Sequence, residues 1–367
     1  MAYLRKRGNK WYYSIEVGNG KKRKRIERPG GRTKKEAEKA MADAMAQINA
    51  NGDFFEAPRL TVDECFQEYL DDLRRRVRET TAYGYKSIYK IYISPVIGGR
   101  RLSTIRPKTL QDILNATERS KSTLNGIYTV LRGLFSYAMF CEYIRTNPAQ
   151  NIHMSKAQVP LKKVHAFTPE QMEILLQHFT LGYRPHFPML ISYHTGMRRG
   201  EIAALKWEDV DLDTRTIRIH ATVARNFSGG QFYQPSTKSD AGIREIDIGA
   251  KLVQILKSCH KMQTADRLQY GQFWKDTGFV CTEPDGRPLS MIAFSEFNAF
   301  CREQFGAGYT FHSLRHTHAT MLLEAGEDLE MVSKRLGHAN ISTTANVYSH
   351  ILKKRRGQLR DLLDEIL

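Results

Sequence analysis

The segment Phe311-His312-Ser313-Leu314-Arg315-His316 sets His312 and Arg315 three residues apart, so on a helix the imidazole and the guanidinium share a face. Downstream, Arg335-Leu336-Gly337-His338 predicts a helix that stops at Gly337. Ser342-Thr343-Thr344-Ala345-Asn346-Val347-Tyr348 predicts a further capped helix carrying a tyrosine. Upstream, His194-Thr195-Gly196-Met197-Arg198-Arg199-Gly200-Glu201 runs into the apolar stretch from Ile202 to Trp207. Arg198 and Glu201 are again three apart, and the two glycines let the backbone approach a ligand closely. Between these motifs, Thr216 to Thr222 reads as a strand, Gly229-Gly230 as a turn and Phe232-Tyr233-Gln234 as the return. Pro235 to Asp240 then leads into the strand Arg244 to Ile248, which puts Lys238 at a turn between two strands.

Two arginines, a lysine and two histidines around one phenol suit a definite chemistry. A phosphodiester gathers negative charge on its equatorial oxygens during in-line attack, and two guanidinium groups can clamp those oxygens. A phenol with a pKa of about 10 needs cationic surroundings or a base before it attacks at neutral pH. A histidine can accept that proton, and a lysine or histidine can protonate the departing 5′ oxygen. With arginines supplying positive charge, the expectation is that no metal or other cofactor is needed.

The bulk composition agrees. At 367 residues, 41% hydrophobic and 26% charged, the chain suits two or three globular domains. A net charge of +17 favours a polyanionic partner, nucleic acid above all. No lipid-facing amphipathic helix, lipidation motif, signal core or bilayer-spanning run is legible, so no membrane partner is expected and the chain should stay where it is made. The cysteines (Cys65, Cys141, Cys259, Cys281, Cys301) are scattered without a CxxC pair and read as small hydrophobes in a reducing compartment.

Three units follow one another. In residues 1–55, Trp11, Tyr13, Ile15 and Val17 alternate as one face of a strand, Gly18-Asn19-Gly20 makes a hairpin turn, and Lys21 to Ile26 returns. Thr33-Lys34-Lys35-Glu36 is a capping box for an alanine-rich helix ending near Asn51-Gly52. Arg5, Lys6, Arg7, Lys21, Lys22, Arg23, Lys24 and Arg25 give this ribbon a charge suited to a DNA groove. Residues 60–152 read as helical, opening on the capping box Thr61-Val62-Asp63-Glu64. There Leu70, Leu73, Tyr83, Tyr85, Ile88, Ile91 and Tyr92 read as core, with a break at Pro95 and Gly98-Gly99. Ser122 to Arg145 reads as one helix burying Leu124, Ile127, Leu131, Leu134 and Phe135, ended by Asn147-Pro148. A basic, proline-containing linker spans 153–164, and a final unit, 165–367, opens on the capped helix at Thr168.

The motifs TGMRRGE, TKS in a hairpin turn, HSLRH and LGH before the tyrosine of TANVYSH together resemble the tyrosine recombinase (phage integrase) family. The resemblance implies three domains: a small β-hairpin or sheet with a helix for arm-type DNA, an all-α core-site domain, and a mainly α catalytic domain with a small β-sheet. By the same resemblance Arg198 and Arg315 bind the scissile phosphate and Lys238 is the general acid on the 5′ oxygen. His312 is the acid/base histidine, His338 the second phosphate-side histidine, Tyr348 the nucleophile, and Glu201 a supporting acid. It further implies a 3′-phosphotyrosyl intermediate, integration and excision of a mobile element without ATP or metal, and double-stranded attachment sites. A homotetramer on synapsed DNA, a directionality factor and a host DNA-bending protein are the implied partners. The implied setting is the cytoplasm of a bacterial host, at the nucleoid. The tail Ile351 to Leu367 carries leucines at helical spacing, and in the family such a helix docks onto a neighbouring protomer. Asp247 departs from the family, where proline often follows the strand's isoleucine.

Three alternatives stand beside this reading. His312 and His316, with His318, His338 or His350, could ligate zinc in a hydrolase or nuclease, although Ser313 leaves no HExxH glutamate. A DNA-binding regulator explains the charge but not the assembled polar set. A resolvase acting on chromosome or plasmid multimers shares the catalytic motifs, but such proteins usually lack the basic N-terminal unit.

Overall fold

The computed structural model describes residues 2–17, 24–51, 58–154, 165–235 and 242–348. The chain divides into two compact units. One comprises Met1–Leu73, Ile88–Thr117 and Ser122–Ser155; the other comprises Arg74–Ser87, Glu118–Lys121 and Lys156–Leu367.

In the first unit, β1 (Ala2–Arg7), β2 (Lys10–Val17) and β3 (Lys24–Gly31) form an antiparallel sheet in that order. Tyr13 and Ile15 point inward as their alternation predicts, and α1 (Lys34–Asn51) closes over them with Ala40, Met41, Ala44 and Ile48. The sheet has a strand that the hairpin reading lacks. Ala2 and Leu4 of β1 sit opposite Ile15 and Tyr13, completing the apolar face against α1. The return strand also differs, running from Lys24 to Gly31. The turn Gly18-Asn19-Gly20 and residues Lys21 to Arg23 lie outside the described residues. At the start of α1, Glu36 Oε2 accepts from the Arg32 and Thr33 amides at 2.8 and 3.3 Å, and Thr33 Oγ1 accepts from the Glu36 amide at 3.2 Å.

The helices that follow are α2 (Val62–Arg76), α3 (Glu79–Ile88), a π-helix at Tyr89–Gly98, α4 (Pro107–Ala116) and α5 (Lys121–Phe140). The capping box at Thr61 and Glu64 is present. Leu70 and Leu73 are buried, but Tyr83, Tyr85, Ile88 and Tyr92 are only half-buried and Ile91 is 61% exposed. Of α3 only Ala82 is buried, and in the π-helix the buried side chains are Tyr89, Ile93 and Ile97, not Ile91 or Tyr92. The π-helix carries Pro95 inside it, so the chain breaks only at Gly98-Gly99. All five residues expected on the core face of α5 are buried. The helix nevertheless stops at Phe140, short of Arg145. Glu142 adopts a left-handed conformation (φ 56), and the Tyr143 amide donates back to the Ala138 carbonyl at 2.8 Å.

The second unit packs α6 (Pro169–His178), α7 (His186–Thr195), α8 (Arg199–Ala204), α9 (Ala250–Tyr270), α10 (Ile292–Phe305) and α11 (Phe311–Glu324) around two small sheets. Strands β4 (Val210–Asp211), β5 (Thr216–Ile219) and β8 (Arg244–Asp247) form one, in the order β4-β5-β8. The other is the pair β6 (Thr222–Arg225) and β7 (Gln231–Gln234). The stretch Thr216 to Thr222 is thus two strands in two sheets, not one. Phe167, Ile191, Ile202, Ile217, Ile246 and Phe297 meet in the core. The short helices α12 (Leu329–Leu336) and α13 (Ile341–Val347) bring Leu336 and Tyr348 against Ala319 and Leu323 of α11. The cap of α13 is Asn340, whose side chain accepts from the Ser342 amide, and not Ser342 itself. The linker residues 155–164 and the tail 349–367 lie outside the described residues.

Gly98 closes the π-helix against Asp63, whose Oδ1 accepts from the Tyr89 and Ser94 hydroxyls at 2.7 and 2.8 Å. A Cβ at residue 98 would overlap that carboxylate. Gly98→Ala should therefore destabilise the first unit by about 1–3 kcal/mol, measured by urea unfolding followed by circular dichroism; an unchanged midpoint would contradict this packing.

Candidate active site

The site is built around the end of a helix. Helix α12 stops at Gly337, which is left-handed (φ 69), and its last carbonyls have no partner inside the helix. Three consecutive carbonyls each receive an arginine. Arg244 Nε donates to the Arg335 oxygen at 2.7 Å, Arg315 Nη2 to the Leu336 oxygen at 2.7 Å, and Arg198 Nη2 to the Gly337 oxygen at 2.9 Å. The negative end of the helix dipole favours these cations.

Each arginine has a second anchor. Arg315, 2% exposed, donates from Nη1 to the Gly196 carbonyl at 2.8 Å, at the left-handed end of α7. Arg198 sits at the N-cap of α8, so Glu201 in the first turn meets both its amide (2.9 Å) and its Nη1 (2.7 Å). Arg244 takes the same carboxylate from the other side, Nη2 to Oε2 at 2.9 Å and Nη1 to Oε1 at 3.3 Å. Burial alone would raise the Glu201 pKa, but the hydrogen bonds and charges of Arg244, then Arg198, bring it below the usual carboxylate value. Arg198 and Arg244 thus share one carboxylate while Arg315 rests on carbonyls, leaving an excess of positive charge suited to an anion.

The remaining side chains surround that charge. On α11, His312 keeps an edge exposed and stands edge-on to His316, ring centroids 4.9 Å apart. His316 Nδ1 lies 2.9 Å from the Tyr348 hydroxyl, and His338 Nδ1 lies 2.7 Å from Thr344 Oγ1. Desolvation first, and Arg315 next, push His316 and His338 down to about 4. For His312, also brought to about 4, desolvation leads and His316 and Arg315 follow. Tyr348 is 3% exposed, and burial raises its pKa against the opposing pull of Arg315. His318 lies behind the site, between the Tyr193 carbonyl and Arg335 Nε. A cavity of about 490 Å³ opens beside Arg198, Arg199, Thr222, Asn298, Thr310 and His312.

Of the residues singled out in the sequence, Arg198, Glu201, His312, Arg315, His338 and Tyr348 come together here; Lys238 lies outside the described residues. Two members were missed. Arg244 shares a strand face with Ile246 and Ile248, both buried, and an arginine on an apolar face must find a partner. That alternation was the available signal. His316 was read only as a possible metal ligand, yet its Nδ1 faces the tyrosine. Among the described residues, no group of three or more His, Cys, Asp or Glu side chains stands where it could hold a metal ion. In the first unit, Arg5, Arg7 and Arg25 share the sheet face turned from α1, with Arg25 over the Tyr3 ring at 4.7 Å, whereas Lys6 is on the opposite side.

A family profile described as the phage integrase family matches residues 165–355. The chain belongs to the phage integrase family. It is a site-specific DNA recombinase of the integrase type. Residues 61–117 match the N-terminal SAM-like domain of phage integrases, and residues 2–48 match an arm DNA-binding domain. Among curated relatives, the tyrosine recombinase XerC-like protein of Caldanaerobacter subterraneus is 26% identical over 98% of this chain and 97% of its own. The ICEBs1 integrase of Bacillus subtilis is 26% identical over 69% of this chain and 68% of its own. Among solved structures, the Tn1549 transposon integrase in complex with transposon right-end DNA superposes with a TM-score of 0.63 at 22% identity, covering 83% of this chain and all of that one (100%). A lambda integrase dimer bound to a core site gives 0.57 at 19% identity over 94% of this chain and 93% of its own. These superpositions share the fold of this integrase.

Two tests address the geometry. Arg244→Met leaves Glu201 buried with half its counter-charge and should cost the recombinase about 3–5 kcal/mol, read as a lower urea midpoint; a loss below about 1 kcal/mol would place Arg244 outside the network. His316, His318 and His338 have folded pKa values near 4 against an ordinary 6.5, so between those values the unfolded chain binds more protons. Stability is then full above about pH 6.5 and declines toward about pH 4, and a urea midpoint that stays level across this window would refute the burial of these rings.

Proposed function

We propose that this recombinase integrates and excises a mobile element by cutting and rejoining DNA at double-stranded attachment sites, through a 3′-phosphotyrosyl bond to Tyr348. One observation carries the reading. The two guanidinium forks of Arg198 and Arg315 are hung on neighbouring carbonyls, Gly337 and Leu336, of the helix that leads to the tyrosine. Each guanidinium has five N–H donors, two of them spent on these anchors and their seconds, so donors remain for the oxygens of a phosphodiester.

In this reading Arg198 and Arg315 bind the scissile phosphate, and Glu201 keeps Arg198 oriented. His312, beside the cavity, serves acid/base work on the phosphate side, and His338 supports the same phosphate. Lys238 protonates the 5′ oxygen. The covalent ester keeps the bond energy, so a 5′ hydroxyl of the partner strand rejoins it without ATP. Residues 1–55 bind arm-type DNA, 60–152 grip the core site, 153–164 link, and 165–367 catalyse, with the C-terminal helix reaching a neighbouring protomer. A homotetramer on synapsed DNA is the working assembly, in keeping with the lambda integrase tetramer bound to a Holliday junction, a structure of related fold. A directionality factor and a host DNA-bending protein assist it in the cytoplasm of a bacterial host, at the nucleoid. No helix among the described residues is long and apolar enough to cross a membrane. The likeness to a XerC-like recombinase over nearly the whole chain supports a second reading, resolution of multimers, but the match of residues 2–48 to an arm-binding domain favours integration.

The experiment incubates a supercoiled plasmid bearing the DNA that flanks this gene with enzyme in EDTA. Wild type should give an SDS-resistant protein–DNA adduct and Tyr348→Phe none; cleavage that appears only with a divalent metal would reverse the assignment. Arg315→Ala should abolish cleavage while specific binding persists, and normal recombination by that variant would remove it from the clamp. Deletion through Asn51 should impair integration yet spare core-site cleavage, so unchanged recombination on full sites would defeat the arm-binding role.

A further inference from the structure

The Tyr348 hydroxyl lies 2.9 Å from His316 Nδ1, within hydrogen-bond distance. His312, the histidine that the family resemblance marks for acid/base work, stands one turn earlier on α11 and borders the cavity beside Arg198. The two imidazoles touch on one face of α11, ring centroids 4.9 Å apart, and differ in what else they meet. One faces the phosphate cavity, the other faces the nucleophile. The body of the tyrosine is held by Ala319, Leu323, Val332 and Leu336, which fixes its hydroxyl toward His316 and away from solvent.

We propose that His316 is the catalytic proton acceptor for Tyr348. As the phenol oxygen bonds to the scissile phosphorus, its proton passes to Nδ1 and the P–O5′ bond breaks. The 5′ oxygen takes its own proton from the acid, the role given above to Lys238. In rejoining, the 5′ hydroxyl attacks phosphorus and gives its proton back to that residue, while His316 returns the other proton to the departing tyrosine oxygen. This assignment rests on the tyrosine-recombinase reading and adds a residue to it.

The surroundings suit an acceptor. His316 faces His312 and Arg315 on its own helix, Tyr348 at the end of α13 and His338 beyond α12. With Arg315 beside it and solvent largely withdrawn, its ring is neutral at neutral pH, and in the tautomer that carries hydrogen on Nε2 its Nδ1 has a lone pair for the phenol proton. A phosphodiester placed on the arginines offsets their charge and makes the imidazolium easier to form at the moment of attack.

The test uses full-length protein and the core-site duplex mapped from the covalent adduct, made with either oxygen or sulfur at the scissile 5′ position. A thiolate leaves without a proton, so sulfur relieves the need for the acid and not for the base. His316→Ala should cleave about 10²-fold or more slowly on both duplexes, and Lys238→Ala should recover on the sulfur duplex. His316→Asn, which keeps a hydrogen-bond acceptor near the position of Nδ1 but no basicity, should be as slow as His316→Ala. Imidazole in the buffer should accelerate the alanine variant. Recovery of His316→Ala on sulfur would move His316 to the leaving-group side, and near-wild-type cleavage by His316→Asn would reduce it to a positioning residue; either overturns the proposal. Should the alanine variant fail to fold, the asparagine variant decides alone, provided its urea midpoint matches wild type. Cleavage by Tyr348→Phe would sink the tyrosine reading itself, an outcome separate from any result at residue 316.

Discussion

Three main-chain oxygens at the end of one helix organise the catalytic unit. A helix end leaves its last carbonyls without internal partners, and here Arg335, Leu336 and Gly337 each present one to a different arginine. The arginines come from β8, from α11 and from the turn between α7 and α8, so the helix end ties separate parts of the chain together. Glu201 ties two of the three again from below. Because Arg315 is almost wholly buried, loss of the Leu336 or Gly196 carbonyl would strand its charge at a cost larger than a surface ion pair ever returns. The geometry of the clamp is therefore fixed before any DNA arrives, which is what electrostatic preorganisation requires.

Charge and neutrality are divided with equal consistency. The arginines stay cationic while the surrounding imidazoles are held neutral by burial and by those same cations. A neutral imidazole can take a proton; a charged one beside two guanidiniums would only repel. Burial raises the Tyr348 pKa, so the phenol stays protonated and needs a proton acceptor when it attacks. Fold and chemistry meet at α13, a short helix capped by Asn340 that ends on Tyr348 and lies against α11 and α12.

Much of this was legible in the residues. Spacings of three put His312 beside Arg315 and Arg198 beside Glu201, and Gly337 marked a helix end, since each signal is local and the helix period is strict. What escaped was set by long-range pairing. Strand β1 forms because Ala2 and Leu4 complete an apolar face whose other half lies on β2 and α1. Tyr89, Ile93 and Ile97 are buried in a π-helix, a form that no local signal in the sequence announces. Arg244 and His316 belong to the site through tertiary contacts to Glu201 and Tyr348, although the alternation of Arg244 with Ile246 and Ile248 already pointed inward.

The acceptors that seat the arginines are peptide oxygens, and a peptide oxygen survives any substitution that keeps the backbone path. The carbonyls at 335 and 336 do not depend on the side chains there, which are occupied elsewhere: Arg335 reaches His318 and Asp247, and Leu336 is buried in the cluster that holds Tyr348. A carboxylate such as Glu201 is written in the sequence as a letter; these acceptors are main-chain atoms and are invisible to any count of identities.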